Sequence, residues 1–136
     1  MFNSIEYIQD DLLKWFVKNG RHWIPWKLND DGSPPESGEN ISPYKVWIAE
    51  IMLQQTQLKV VIPYWERWMK TFPHFNDLVA ASEQDVLFYW QGLGYYSRAK
   101  RIYQSSILLM QYRGNDKTFN YTNWPKSIHQ WMSLPG

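Results

Sequence analysis

Glu50 is the only charged side chain between Lys45 and Lys59, and it falls inside the apolar run 43-PYKVWIAEIML-53. On a helix, side chains three and four positions away share a face, so Val46, Trp47, Leu53 and Gln54 neighbour Glu50, and three of these are apolar. No cation lies within reach along the helix. A carboxylate desolvated against apolar groups holds its proton to higher pH, which a general acid must do. A helical Glu is seldom buried without a partner, however, and the same residues also fit a carboxylate that points to water. A second group able to do chemistry is cationic. Arg98, Lys100, Arg101 and Arg113 fall between Gln91 and Asn115 without one acidic residue. They form either a solvated face or, beside the 92-GLG-94 turn, a phosphate-binding helix start. His22, His74 and His129 have no metal-like spacing.

These residues need helices to hold them. Ser42 followed by Pro43 is a helix start, the hydroxyl suited to cap orphan amides and the proline to the first helical position. Ile5, Ile8, Leu12 and Phe16 recur at helical spacing over 4–19, with Gly20 as the stop. Pro25 forces Ile24 out of helical geometry, so 21-RHWIPW-26 reads as an extended, aromatic connection. Residues 27–42 combine turn formers with Asp30, Asp31, Glu36 and Glu39, giving a surface loop. The polar break 54-QQTQ-57 precedes a helix over 58–72, with Pro63 in an early turn or at a kink. A short helix follows over 75–81. Ser82 and Asp85 form a capping pair for the next, and Gly92 and Gly94 bracket a tight turn. A helix then runs from Ser97 to Arg113, Asp116 to Trp124 is irregular, and 125–133 makes a last short helix. Every element is helix or loop, so the fold class is all-α.

Composition bounds the rest. With 136 residues, 44% of them hydrophobic, the chain supports one compact core. It lacks an apolar run long enough for a membrane helix and a signal-like amino terminus, so an intracellular, cytoplasmic protein is expected. The absence of cysteine excludes disulfides and thiolate-held zinc or iron–sulfur centres within it. A net charge of +1 does not by itself indicate nucleic acid; the segregation of basic and acidic segments matters more. Nine Trp and nine Tyr are assigned first to the core.

Three separated segments, 24-IPW-26, 43-PYKVWIAEIMLQQTQ-57 and 90-WQGLGYYSRAKR-101, resemble the amino-terminal part of adenine DNA glycosylases of the MutY family, within the helix-hairpin-helix superfamily. The resemblance spans nearly the whole chain in the right order. It implies removal of adenine mispaired with 8-oxoguanine or guanine in double-stranded DNA, by a monomer associated with the nucleoid. Glu50 then matches the catalytic acid, and Leu53 a pocket-lining residue. Arg21 and Trp26 match residues near the flipped nucleotide. Gln55, Thr56, Leu93 and Tyr95 match residues that read or wedge beside the 8-oxoguanine position, and in such a protein the basic helix start at Arg98 is a candidate DNA contact. Amides and hydroxyls can read base edges, and a tyrosine ring can replace a lost stacking partner.

The resemblance also defines what residues 1–136 do not contain. The L-D-G-N-V-like motif carrying a second carboxylate is absent, as are the four cysteines of a 4Fe-4S cluster. The 27–42 loop is longer than the family's usual join, and Leu134-Pro135-Gly136 matches the opening of the hairpin. The expectation is therefore the amino-terminal part of a helix-hairpin-helix glycosylase domain, ending at the start of the hairpin and inactive by itself. The alternatives are a non-catalytic helical DNA-binding module and an endonuclease-type glycosylase of the same superfamily.

Overall fold

The computed structural model describes residues 4–39, 41–111 and 127–135. Among them the elements are seven α-helices and one turn of 3-10 helix: α1 (Ser4–Asn19), the 3-10 turn (Pro25–Lys27), α2 (Pro43–Leu53), α3 (Leu58–Thr71), α4 (Phe75–Ala80), α5 (Glu83–Trp90), α6 (Ser97–Met110) and α7 (Ile128–Met132). The chain is all-α over these residues, as its periodicity requires. The irregular stretch expected over 116–124, together with Arg113, lies outside the described residues.

Local chemistry sets most of the boundaries. Ser82 accepts the Asp85 amide at 3.1 Å while Asp85 reaches back to the Ser82 amide, the reciprocal pair expected from the sequence. His74 and Asp77 form the same arrangement at the start of α4. Pro43 occupies the first turn of α2, and the Ser42 carbonyl accepts the Val46 amide at 3.3 Å. The Ser42 hydroxyl, contrary to expectation, caps none of the helix amides; with proline at the first position, one of the orphan donors does not exist.

The core is aromatic and sits between α2, α3, α5 and α6, with α2 packed on α3 and α6, and α5 on α6 and α3. Trp68 is fully buried, edge-to-face with Phe72 at 5.0 Å and with Trp90 at 6.0 Å. Its indole N–H donates to the Tyr44 hydroxyl at 3.1 Å, and that hydroxyl donates to the Phe72 carbonyl at 2.8 Å. Two polar groups are thereby carried into the core with their partners, which removes the cost of leaving them unpaired. Burial pushes the Tyr44 phenol well above its ordinary value, opposed by the Trp68 hydrogen bond.

Two segments lie outside this core. Helix α1 buries no residue, and Ile5, Ile8, Leu12 and Phe16, its helical stripe, are all exposed. The acidic loop braces itself. Asn29 donates to Glu39 at 2.9 Å and to Ser33 at 3.2 Å, Asp31 accepts from the Ser33 amide and hydroxyl, and Lys45 pairs with Asp30. It walls a cavity of about 650 Å³ against Trp65, Met69 and His74.

Candidate active site and nucleic-acid interface

Glu50 sits in the last turns of α2, and helical geometry decides where it points. The buried positions of α2 are Tyr44, Ile48, Ala49 and Met52. Glu50 is two residues from both Ile48 and Met52, about 200° around the helix, so it faces away from the stripe that seats α2 on the core. The carboxylate is exposed, so of the two readings open from the sequence the structure takes the one that points to water: Trp47 and Leu53 are only half-buried and Gln54 is exposed.

The exposure is not onto open surface. Glu50 lines a cavity of about 280 Å³ with Trp47, Gln54, Arg98, Arg101 and Leu134. Arg101, on α6, is the contribution that reading along α2 alone misses: it is a cation lining the same cavity as Glu50. The signal was the 98/101 spacing, which puts both arginines on one face of α6. Pro135 closes the other side, its carbonyl accepting the Ser105 hydroxyl at 3.1 Å.

Beside the cavity stand two turns. In the first, 54-QQT-56, Gln55 is exposed and takes φ 59; in the second, 92-GLGY-95, Tyr95 takes φ 47. Left-handed backbone at a non-glycine residue is uncommon, and it persists only where the surroundings hold it. The Tyr95 ring is 64% exposed, which removes the core-packing reading of this residue. Thr56 is half-buried, and Leu93 is buried at 6%.

Arg98 corrects the sequence reading most sharply. Its side chain is 4% exposed and is not free to meet a phosphate. Nη1 donates to the carbonyls of Ile51 at 3.2 Å, Met52 at 2.8 Å and Gln54, while Nη2 donates to the Thr56 hydroxyl at 3.1 Å and to the Leu93 and Gly94 carbonyls at 3.3 Å. The guanidinium carbon lies 5.1 Å from the Trp90 ring and 5.7 Å from the Tyr95 ring. Burial lowers its pKa from the ordinary arginine value, with Tyr95 acting in the opposite sense. Lys100 and Arg101 of the same basic run are exposed.

The other predicted residues separate. Trp26 is 3% exposed and packs on Trp65 at 5.5 Å between ring centres, so in this fold it is core and presents no open face to a nucleotide. Arg21 is exposed in an open groove of about 720 Å³ with Trp23, Gln57, Lys59 and Ile62, away from the Glu50 cavity. The iron–sulfur cluster that the resemblance implies finds no ligands here, because the chain has no cysteine and the described residues hold no group of three His, Asp or Glu able to bind a metal.

Comparison with known proteins bears on this arrangement. The family described as HhH-GPD superfamily base excision DNA repair protein matches residues 48–128, which include Glu50, both turns and Arg98. A protein of Buchnera aphidicola subsp. Acyrthosiphon pisum named adenine DNA glycosylase is 43% identical over 133 residues, 96% of this chain and 33% of its own length. Proteins of the same name from Mus musculus and Homo sapiens are each 37% identical over 111 residues, 82% of this chain, and 21% and 20% of their own lengths. The chain spans about a third or less of these curated relatives.

Proposed function

The chain belongs to the HhH-GPD superfamily of base excision DNA repair proteins, and on that premise we propose that it is the part of an adenine-specific DNA glycosylase that carries the general acid and the two turns reading the opposite strand. The substrate is double-stranded DNA with adenine opposite 8-oxoguanine or guanine, and the bond broken is the N-glycosidic bond of that adenine.

The observation that carries this reading is that Glu50 lines a cavity together with Arg98, whose guanidinium bonds both turns, and that the tips of those turns, Gln55 and Tyr95, are exposed. An atom buried in a stacked duplex is reached by turning its nucleotide out of the helix. The gap must then be filled, and a ring held out from a rigid bend, as Tyr95 is, suits that task. Glu50 donates a proton to a ring nitrogen of the extruded adenine, and the base leaves as the sugar takes on oxocarbenium character. Glu50 then helps to handle the water that attacks the sugar carbon. A second carboxylate opposite the developing cation is not identified among these 136 residues, so catalysis by the chain alone is not part of the proposal.

The test is competition binding of the 136-residue chain to three labelled duplexes, with adenine opposite 8-oxoguanine, opposite guanine and opposite thymine. A preference for the two mispairs of about tenfold or more supports the reading. Equal affinity for all three would leave a helical module that binds DNA without regard to sequence, and no binding would remove DNA from the reading altogether.

A further inference from the structure

We propose that Arg98 is a positioning residue that sets the two recognition turns in register with each other and with the Glu50 helix, so that discrimination of the mispair depends on a side chain that never touches DNA. The inference rests on the function proposed above and goes beyond it, because it converts Arg98 from a phosphate contact into an internal clip.

The geometry is a fork closed on three segments. One guanidinium nitrogen serves the end of α2, at Ile51, Met52 and Gln54; the other serves Thr56 in the first turn and Leu93 and Gly94 in the second. Four N–H hydrogens cover six oxygen acceptors, so several are shared, and the fifth, on Nε, is buried without a partner. None of the six acceptors is a carboxylate. The positive charge is balanced by carbonyl dipoles, among them the negative end of α2, so the clip works only while those carbonyls converge on it. Gly94 is fixed a second time, its carbonyl also accepting the Trp90 indole N–H at 3.0 Å.

Both turns hold a non-glycine residue in left-handed geometry, Gln55 and Tyr95. Such residues relax toward ordinary backbone unless neighbouring atoms prevent it. The restraint common to both is Arg98, which grips the residues on either side of Gln55 and the two residues before Tyr95, and lies under the Tyr95 ring. Loosening it therefore frees both tips at once, and a lysine cannot replace it, because an ammonium is a point donor and not a planar fork.

Arg98→Lys tests this with two independent readouts. The Thr56 amide donates to the Leu53 carbonyl in the first turn, and the Leu93 amide to the Trp90 carbonyl in the second, so hydrogen exchange at these amides reports each turn without DNA. Both should exchange about tenfold faster or more, relative to amides of α3. Leu109→Ala, a buried change elsewhere on α6, should lower overall stability without that selective acceleration. In the competition assay, Arg98→Lys should keep its affinity for the matched duplex within about threefold while losing mispair preference. Acceleration of one turn only, of neither, or of α3 to the same degree overturns the clip. If the parent chain shows no mispair preference, the proposed function fails while the exchange data still judge the clip; if the parent shows it and Arg98→Lys retains it, the positioning role is overturned.

Discussion

The Tyr64 hydroxyl occupies the space where a side chain on residue 92 would begin, so Gly92 is fixed by packing as well as by its φ of 101. Two independent objections to any larger residue meet at one atom. A side chain on Gly94 would begin in open space, so Gly94 has only its φ of 74 to defend it. Gly92→Ala should therefore destabilise the chain by about 1–3 kcal/mol and Gly94→Ala by about 1 kcal/mol. Thermal denaturation of the two variants should rank them in that order; equal effects would show that Tyr64 yields freely.

Glu50→Gln should preserve duplex binding and abolish excision. The amide keeps the shape and the exposure but has no acidic proton to give. General acid catalysis contributes roughly 100- to 10,000-fold, so single-turnover excision should fall by at least that lower factor. The measurement requires this segment in place of the matching third of the Buchnera relative. A rate within threefold of the unmutated chimera would remove Glu50 from the acid role.

Tyr95→Ala should weaken selection of the mispair more than it weakens general DNA affinity. Loss of a stacking ring costs about 1–3 kcal/mol. Because the ring is exposed, the fold should tolerate the change. Tyr95→Gly separates the two contributions of this residue, since it removes the ring and also the backbone strain. If both variants retain full preference, the ring has no part in reading the opposite strand.

Alkaline conditions should weaken the core through Tyr44. Its pKa is raised in the folded state by burial, against about 10 when unfolded. The folded chain thus holds the proton more firmly, and the stability this brings is complete below pH 10. Above that it is lost at up to about 1.4 kcal/mol per pH unit as the unfolded phenol ionises, until the folded pKa is passed. Tyr44→Phe, which keeps the ring, should flatten this decline while lowering stability near neutrality, because the Trp68 indole loses its acceptor and the Phe72 carbonyl its donor. Chemical denaturation at pH 8 and pH 11 compares the two slopes.

Helix α1 should make the chain bind hydrophobic dyes in its folded state. Ile5, Ile8, Leu12 and Phe16 are exposed, and each forgoes roughly 1–3 kcal/mol of burial. Replacing Ile8 and Leu12 together by Glu should sharply reduce dye fluorescence with little change in melting temperature. A large fall in melting temperature would mean that α1 packs against the rest of the chain in solution.

The helices were legible because their signals are local. The stripe in α1, the Ser82–Asp85 cap and Pro43 at the start of α2 each depend on residues within one or two turns, and each element appears within a few residues of its expected place. What the sequence left unresolved is decided at long range. Whether Glu50 faces water depends on which side of α2 seats on α3 and α6. Trp26 and Trp23 sit three residues apart in one aromatic segment, yet the first is core and the second exposed, because only Trp26 finds Trp65. Arg98 read as one of several surface cations since nothing near it in sequence shows that three carbonyls at positions 51, 52 and 54 would converge on it.

That long reach also bears on synthesis. Arg98 bonds to partners up to 47 positions earlier in the chain, so as the polypeptide leaves the ribosome, residues 51–56 emerge well before the group that fixes them. Until α6 has cleared the exit tunnel, Gln55 has no guanidinium to hold its left-handed backbone, and the segment after α2 samples ordinary conformations. The recognition surface is therefore completed only after α6 has emerged, even though one of its two turns is synthesised some forty residues earlier.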